Sequence, residues 1–71
     1  MPQYELAADG ATRQVRGRSP HDAVRRALGP EPDAEVTVGD AELGTGWCEV
    51  RIDGVPAGRV RARDRMRFRR D

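Results

Sequence analysis

Polarity alternates residue by residue in several stretches of the chain, and one further stretch carries a helical period. Residues 3–8, Gln-Tyr-Glu-Leu-Ala-Ala, set Tyr4, Leu6 and Ala8 on one side, the pattern of a half-buried strand. Asp9-Gly10 follows, a pair suited to a two-residue hairpin turn because both central positions of that turn need positive φ. Residues 11–17 are then expected to return antiparallel, with Ala8 facing Ala11, Leu6 facing Arg13 and Tyr4 facing Val15. The aliphatic stem of Arg13 is expected to lie along the sheet edge.

Ser19 opens the one clear helix. Its hydroxyl can accept from an unpaired amide of the first turn, Pro20 suits the first helical position, and Asp22 meets the positive end of the helix dipole. Ala23, Val24, Ala27 and Leu28 form an apolar stripe, while Asp22, Arg25 and Arg26 face outward. Gly29-Pro30 ends the helix. Beyond a loop at 30–33, Ala34, Val36 and Val38 alternate with Glu35 and Thr37 and predict a short strand. Residues from Gly39 to Gly46 read as a loop with Leu43 tucked inward. Residues 47–53 predict a strand with Cys48, Val50 and Ile52 on one face and Trp47, Glu49, Arg51 and Asp53 on the other. The segment from Gly54 to Gly58 reads as a turn, and a last strand is expected from Arg59.

The expected order is strand–strand–helix–strand–strand–strand: an α+β fold, one helix packed on a mixed sheet of four or five strands. That order and size resemble the β-grasp architecture of ubiquitin-like modules. Members that act in conjugation or sulfur transfer end in Gly-Gly; here the final residues are Phe68-Arg69-Arg70-Asp71, so the resemblance does not imply that chemistry. Fold alone does not assign function.

With 71 residues the chain predicts a single domain, 1–71, with 64–71 as a partly ordered basic tail. A chain of this size buries about 60% of its unfolded surface, and its core is worth only ~3–5 kcal/mol of net stability. Cys48 is the sole cysteine and His21 the sole histidine, so neither an internal disulfide nor a structural zinc site can supply more. Association with a partner is the remaining source. The first residues lack the basic start and apolar run of a signal peptide, and no stretch approaches a membrane-spanning length. A cytoplasmic protein with no membrane partner is expected.

Charge is distributed unevenly. Through Gly58 six arginines stand against ten acids; from Arg59 onward seven arginines stand against two acids, and there is no lysine. Arg59, Arg61, Arg63, Arg65, Arg67 and Arg69 occupy every odd position, with Arg70 beside the last. On one continuous strand they would share a face, ~6.6 Å apart. Such a row could track phosphates, since guanidinium offers them a forked donor set. The same face could instead be solvated and partly ion-paired, or dock a protein, because arginine is enriched at interfaces. The turn at 54–58 would set Val50 against Ala62 and Ile52 against Val60, with Asp53 opposite Arg59, Glu49 opposite Arg63 and Arg51 opposite Arg61. Asp64 marks a bulge or the end of regular pairing. Trp47 lies on the face of Arg51, either as packing or as a stacking platform, and aromatics are otherwise scarce, with only Tyr4 and Phe68 besides.

No catalytic constellation emerges. His21 is expected at the exposed start of the helix and Cys48 on the core face, where a thiol is inert. Asp40 and Glu42 match no cation-loop spacing. Gly44-Thr45-Gly46 lacks the lysine and the strand–helix context of a phosphate loop. No cofactor or metal is expected, and the chain does not read as an enzyme. The leading expectation is a protein-interaction module, self-association included, that uses Trp47, Arg51 and the arginines from Arg59 to Arg70. The alternative is a nucleic-acid-binding accessory protein that lays the same arginines on backbone phosphates.

Overall fold

A computed structural model describes residues 2–63. The elements are β1 (Gln3–Ala8), β2 (Ala11–Arg16), α1 (Pro20–Leu28), β3 (Val36–Ala41), β4 (Cys48–Ile52) and β5 (Val55–Ala62). They form a small α+β domain in which one open five-stranded sheet, in spatial order β2-β1-β5-β4-β3, carries the helix. Every pairing is antiparallel, so the expected mixed sheet is corrected to an antiparallel one. The sequence order of elements matches the expectation.

The helix forms as its local chemistry dictates. The backbone N–H of Asp22 donates to Ser19 Oγ at 3.1 Å, and Gly29 closes the last turn by donating to the Arg25 carbonyl. Asp22 accepts from the Arg18 backbone N–H at 2.8 Å and from Arg26 Nε at 3.0 Å, tying the first turn to the segment before it. These contacts, the Arg18 amide first, hold the Asp22 carboxyl below its ordinary value of 3.8. Arg13, instead of lying along the sheet edge, donates to the Ala27 carbonyl at 2.7 Å and sets a cation on the negative end of the helix dipole.

Ala23 and Val24 are the buried residues of the helix. They pack on Tyr4, Leu6, Val36, Val50 and Val60, which complete the core. Leu6, Val24, Val50 and Val60 are its largest fully buried side chains. Among the described residues no polar or charged side chain is buried. Among them too, no helix is long and apolar enough to cross a membrane.

Two hairpins turn on the same dipeptide. Asp9 and Gly10 have φ of 55° and 76°, and Asp53 and Gly54 have φ of 53° and 81°. Positive φ at both central positions matches the right-handed twist of the flanking strands. The second of these turns corrects the expected connector at 54–58, because the chain reverses at Asp53-Gly54 and β5 begins at Val55. Ile52 therefore faces Val55, Glu49 faces Arg59 and Cys48 faces Val60. The displacement is even across most of β5, so Val60 keeps its core-facing side although its partner changes. A register shift falls between Val50 and Arg51, and Gly58, with φ of 147°, lies close against β1.

Two further expectations are revised. β3 starts two residues later than its polarity suggests and continues through a register irregularity between Val38 and Ala41. Leu43 is 96% exposed at the tip of the β3–β4 connection, not tucked inward. The loop around it is closed by its own backbone, Glu42 N–H donating to Trp47 O at 2.8 Å and Gly46 N–H to Glu42 O at 2.9 Å, which leaves Leu43 nothing to turn toward. The arginine-bearing strand is the middle strand of the sheet, bonded on both sides.

A Cβ at position 58 would lie 2.4 Å from the Ala7 carbonyl oxygen, at a φ that L-residues rarely adopt. Gly58→Ala is expected to destabilise by ~1–3 kcal/mol and to lower the midpoint of thermal unfolding; an unchanged midpoint would contradict this packing. Because folding lowers the pKa of Asp22, its contribution is present above 3.8 and is lost as pH falls through the lowered native value. The stability gap between wild type and Asp22→Asn, measured by denaturant titration, should therefore be largest near neutrality and shrink toward about pH 2. A gap independent of pH would exclude that linkage.

Candidate functional site

The face of the sheet opposite the helix has no described element over it. Alternation along the strands brings Glu5 from β1, Arg59 and Arg61 from β5 and Glu49 from β4 to this face, with Trp47 just before β4 and Arg63 just after β5. Arg61 is its hub. Its Nε lies 2.6 Å from Glu5 Oε1, a second guanidinium nitrogen donates to the Thr45 carbonyl at 3.3 Å, and its Cζ stands 4.5 Å from the Trp47 ring centroid. One side chain thereby ties β1, β5 and the β3–β4 loop together. Thr45 holds the loop from within, donating its hydroxyl to Glu42 at 2.7 Å and accepting from the Trp47 N–H at 3.3 Å.

The other arginines differ in what they touch. Arg63 reaches the second carboxylate oxygen of Glu5 at 3.5 Å. Arg51 pairs with Glu49 at 3.2 Å and faces Pro56 across the ladder. The expected pairings of Asp53 with Arg59 and Glu49 with Arg63 are thus replaced, and the expected clash of Arg51 with Arg61 does not arise. Arg59 lies opposite Glu49 in register, 5.8 Å from the Trp47 centroid. Among the described residues no carboxylate comes within ion-pair distance of its guanidinium, since Glu49 is turned to Arg51. Trp47 is half-buried, with Arg61 over its ring. It packs against guanidinium, on the open face of the sheet. Arg65, Arg67, Arg69 and Arg70, and the basic tail at 64–71, lie outside the described residues.

Glu5 is the residue of this face that could not be singled out from the sequence. Its position in β1, opposite Tyr4 and Leu6, put it on the helix-free face, but only the β1–β5 pairing reveals that it sits against Arg61.

His21 and Cys48 are not brought together. His21 is exposed, with Nε2 2.6 Å from the Val36 carbonyl oxygen, next to the Ile52 end of β4. Cys48 is half-buried at the other end of that strand, ~13 Å along it. Among the described residues no group of three or more His, Cys, Asp or Glu side chains could hold a metal ion. No family model, curated protein or solved structure matches this chain.

The stacking of Arg61 on Trp47 should be measurable as a coupling. In a double-mutant cycle of Arg61→Ala and Trp47→Ala, urea unfolding is expected to return a coupling of ~0.5–1 kcal/mol for a partly exposed cation–π pair. Strict additivity would mean that the stacked geometry contributes nothing.

Proposed function

We propose that this domain is a protein-interaction module that docks a carboxylate-bearing partner on its helix-free sheet face, with Arg59 and Trp47 as anchors. The observation that carries the reading is Arg59: an exposed guanidinium on the central strand, beside a tryptophan, with no described carboxylate on it. Arginine and tryptophan are the side chains most enriched where binding energy concentrates. The surrounding groups are pre-set, because Arg61, Glu5 and Thr45 fix the ring and the loop beside it, and little ordering would be lost on docking. The element order shared with β-grasp modules is consistent with a binding role but adds no specificity to it.

The nucleic-acid reading has less support on this face. Glu5 already occupies Arg61 and Arg63, so phosphates would compete with a carboxylate for both. A base stacking on Trp47 would have to displace Arg61 from the ring face it covers.

Both readings can be tested with the full chain. Immobilised wild type should retain a partner from its native cell extract, and Trp47→Ala with Arg59→Glu should retain at least tenfold less of it. Equal retention would overturn the proposal. In parallel, labelled single-stranded and duplex oligonucleotides are expected to show no anisotropy change at micromolar protein. Binding that weakens steeply with salt would replace the proposal with the phosphate reading.

A further inference from the structure

The sheet has two outer strands, and they are defended differently. β3 is irregular between Val38 and Ala41 and carries Asp40 there, so its outer edge cannot template a straight partner. β2 pairs with β1 without interruption over all six residues, Gln3↔Arg16 through Ala8↔Ala11. It contains no proline and no bulge, and every residue but Val15 is exposed. Arg13, whose charge could block an edge from the helix side, is instead held at the Ala27 carbonyl.

The hairpin register fixes which backbone groups are free. With Ala8 and Ala11 flanking a two-residue turn, Arg13 and Val15 exchange hydrogen bonds with β1, and Thr12, Gln14 and Arg16 point theirs away from the sheet. We propose that this edge pairs with the β2 edge of a second copy, antiparallel about a two-fold axis at Gln14. Thr12 then faces Arg16 of the second copy, Gln14 faces its own equivalent, and all three outward residues on each strand find backbone partners. Shifting the axis to Arg13 would set like charges directly opposite, and shifting it to Val15 would leave Thr12 beyond the partner strand. The Gln14 axis avoids both. The helices fall on one side of a ten-stranded sheet, and the two Arg59–Trp47 clusters share the other. A thin 71-residue core gains from such an extension. This goes beyond the docking reading of the helix-free face and uses a different surface, so the two can fail separately.

Sedimentation equilibrium of the full chain from about 1 µM to about 1 mM tests it. Wild type is expected to be a monomer–dimer system. Gln14→Pro removes an outward N–H that β1 does not use and should leave a monomer whose circular dichroism is unchanged. Thr12→Glu should tighten the dimer and Thr12→Lys should weaken it, each by about 2- to 30-fold, because two copies of the 12–16 pair form per dimer. A wild type that stays monomeric throughout overturns the inference, as does a dimer that Gln14→Pro leaves intact. Should Gln14→Pro unfold, the Thr12 variants decide: opposite shifts support the edge, and equal or absent shifts overturn it. Arg59→Glu should leave the dimer constant unchanged, so loss of dimerisation counts against the edge and loss of partner capture against the face.

Discussion

Val60 is fully buried with Leu6 paired on one side and Cys48 on the other, and the strand that carries it turns two separate hairpins into one sheet. Remove β5 and the β1–β2 and β3–β4 ladders share no hydrogen bonds. The helix, which leaves one edge strand and returns to the other, then has no continuous surface to cover. The core is correspondingly thin, one layer of Tyr4, Leu6, Val60, Val50 and Val36 under Ala23 and Val24. Burial at this scale stabilises by only a few kcal/mol once chain entropy is counted, so the quality of the central pairing matters more than core volume.

The same strand organises the opposite face by different chemistry. Its odd-numbered arginines cannot be buried, and the sheet accommodates them by bringing Glu5 from one side and Trp47 from the other onto Arg61. An ion pair of half-exposed groups contributes little by itself. Its value here is geometric: three elements distant in sequence are held in one register. The cluster is thus a structural fastening that joins β1, β5 and the β3–β4 loop.

Local features of this fold were legible in the sequence and long-range ones were not. Ser19, Pro20 and Gly29 bracket the helix through contacts within one turn, which is why its limits could be read directly. Asp9-Gly10 was legible for the same reason, and Asp53-Gly54 carries the identical signal but was masked by the glycine and proline that follow it. From Arg59 to Ala62 the period-two pattern coincides with the observed strand and its two faces, and the arginines from Arg65 onward lie outside the described residues. The pattern could not give the strand's place in the sheet, because position depends on which partners are nearest in space. The expected charge pairs failed because the reversal at Asp53-Gly54 reset the β4–β5 register, and the pair that forms instead joins Glu5 to Arg61, 56 residues away. Leu43 was assigned inward from its apolarity alone, and a loop that closes on its own backbone overrode that preference.

The central position of β5 also sets an order of events during synthesis. Everything from Gln3 to Ile52 leaves the ribosome before the strand that joins it, so both hairpins wait with their inner edges, β1 and β4, unpaired. Such edges are the groups through which nascent chains join one another. The closing contacts span most of the chain, and ring closures of that length are slow relative to local turns. The tight turn at Asp53-Gly54 shortens the wait, because once it forms β5 is delivered to β4 as a hairpin and only the junction with β1 remains to be found.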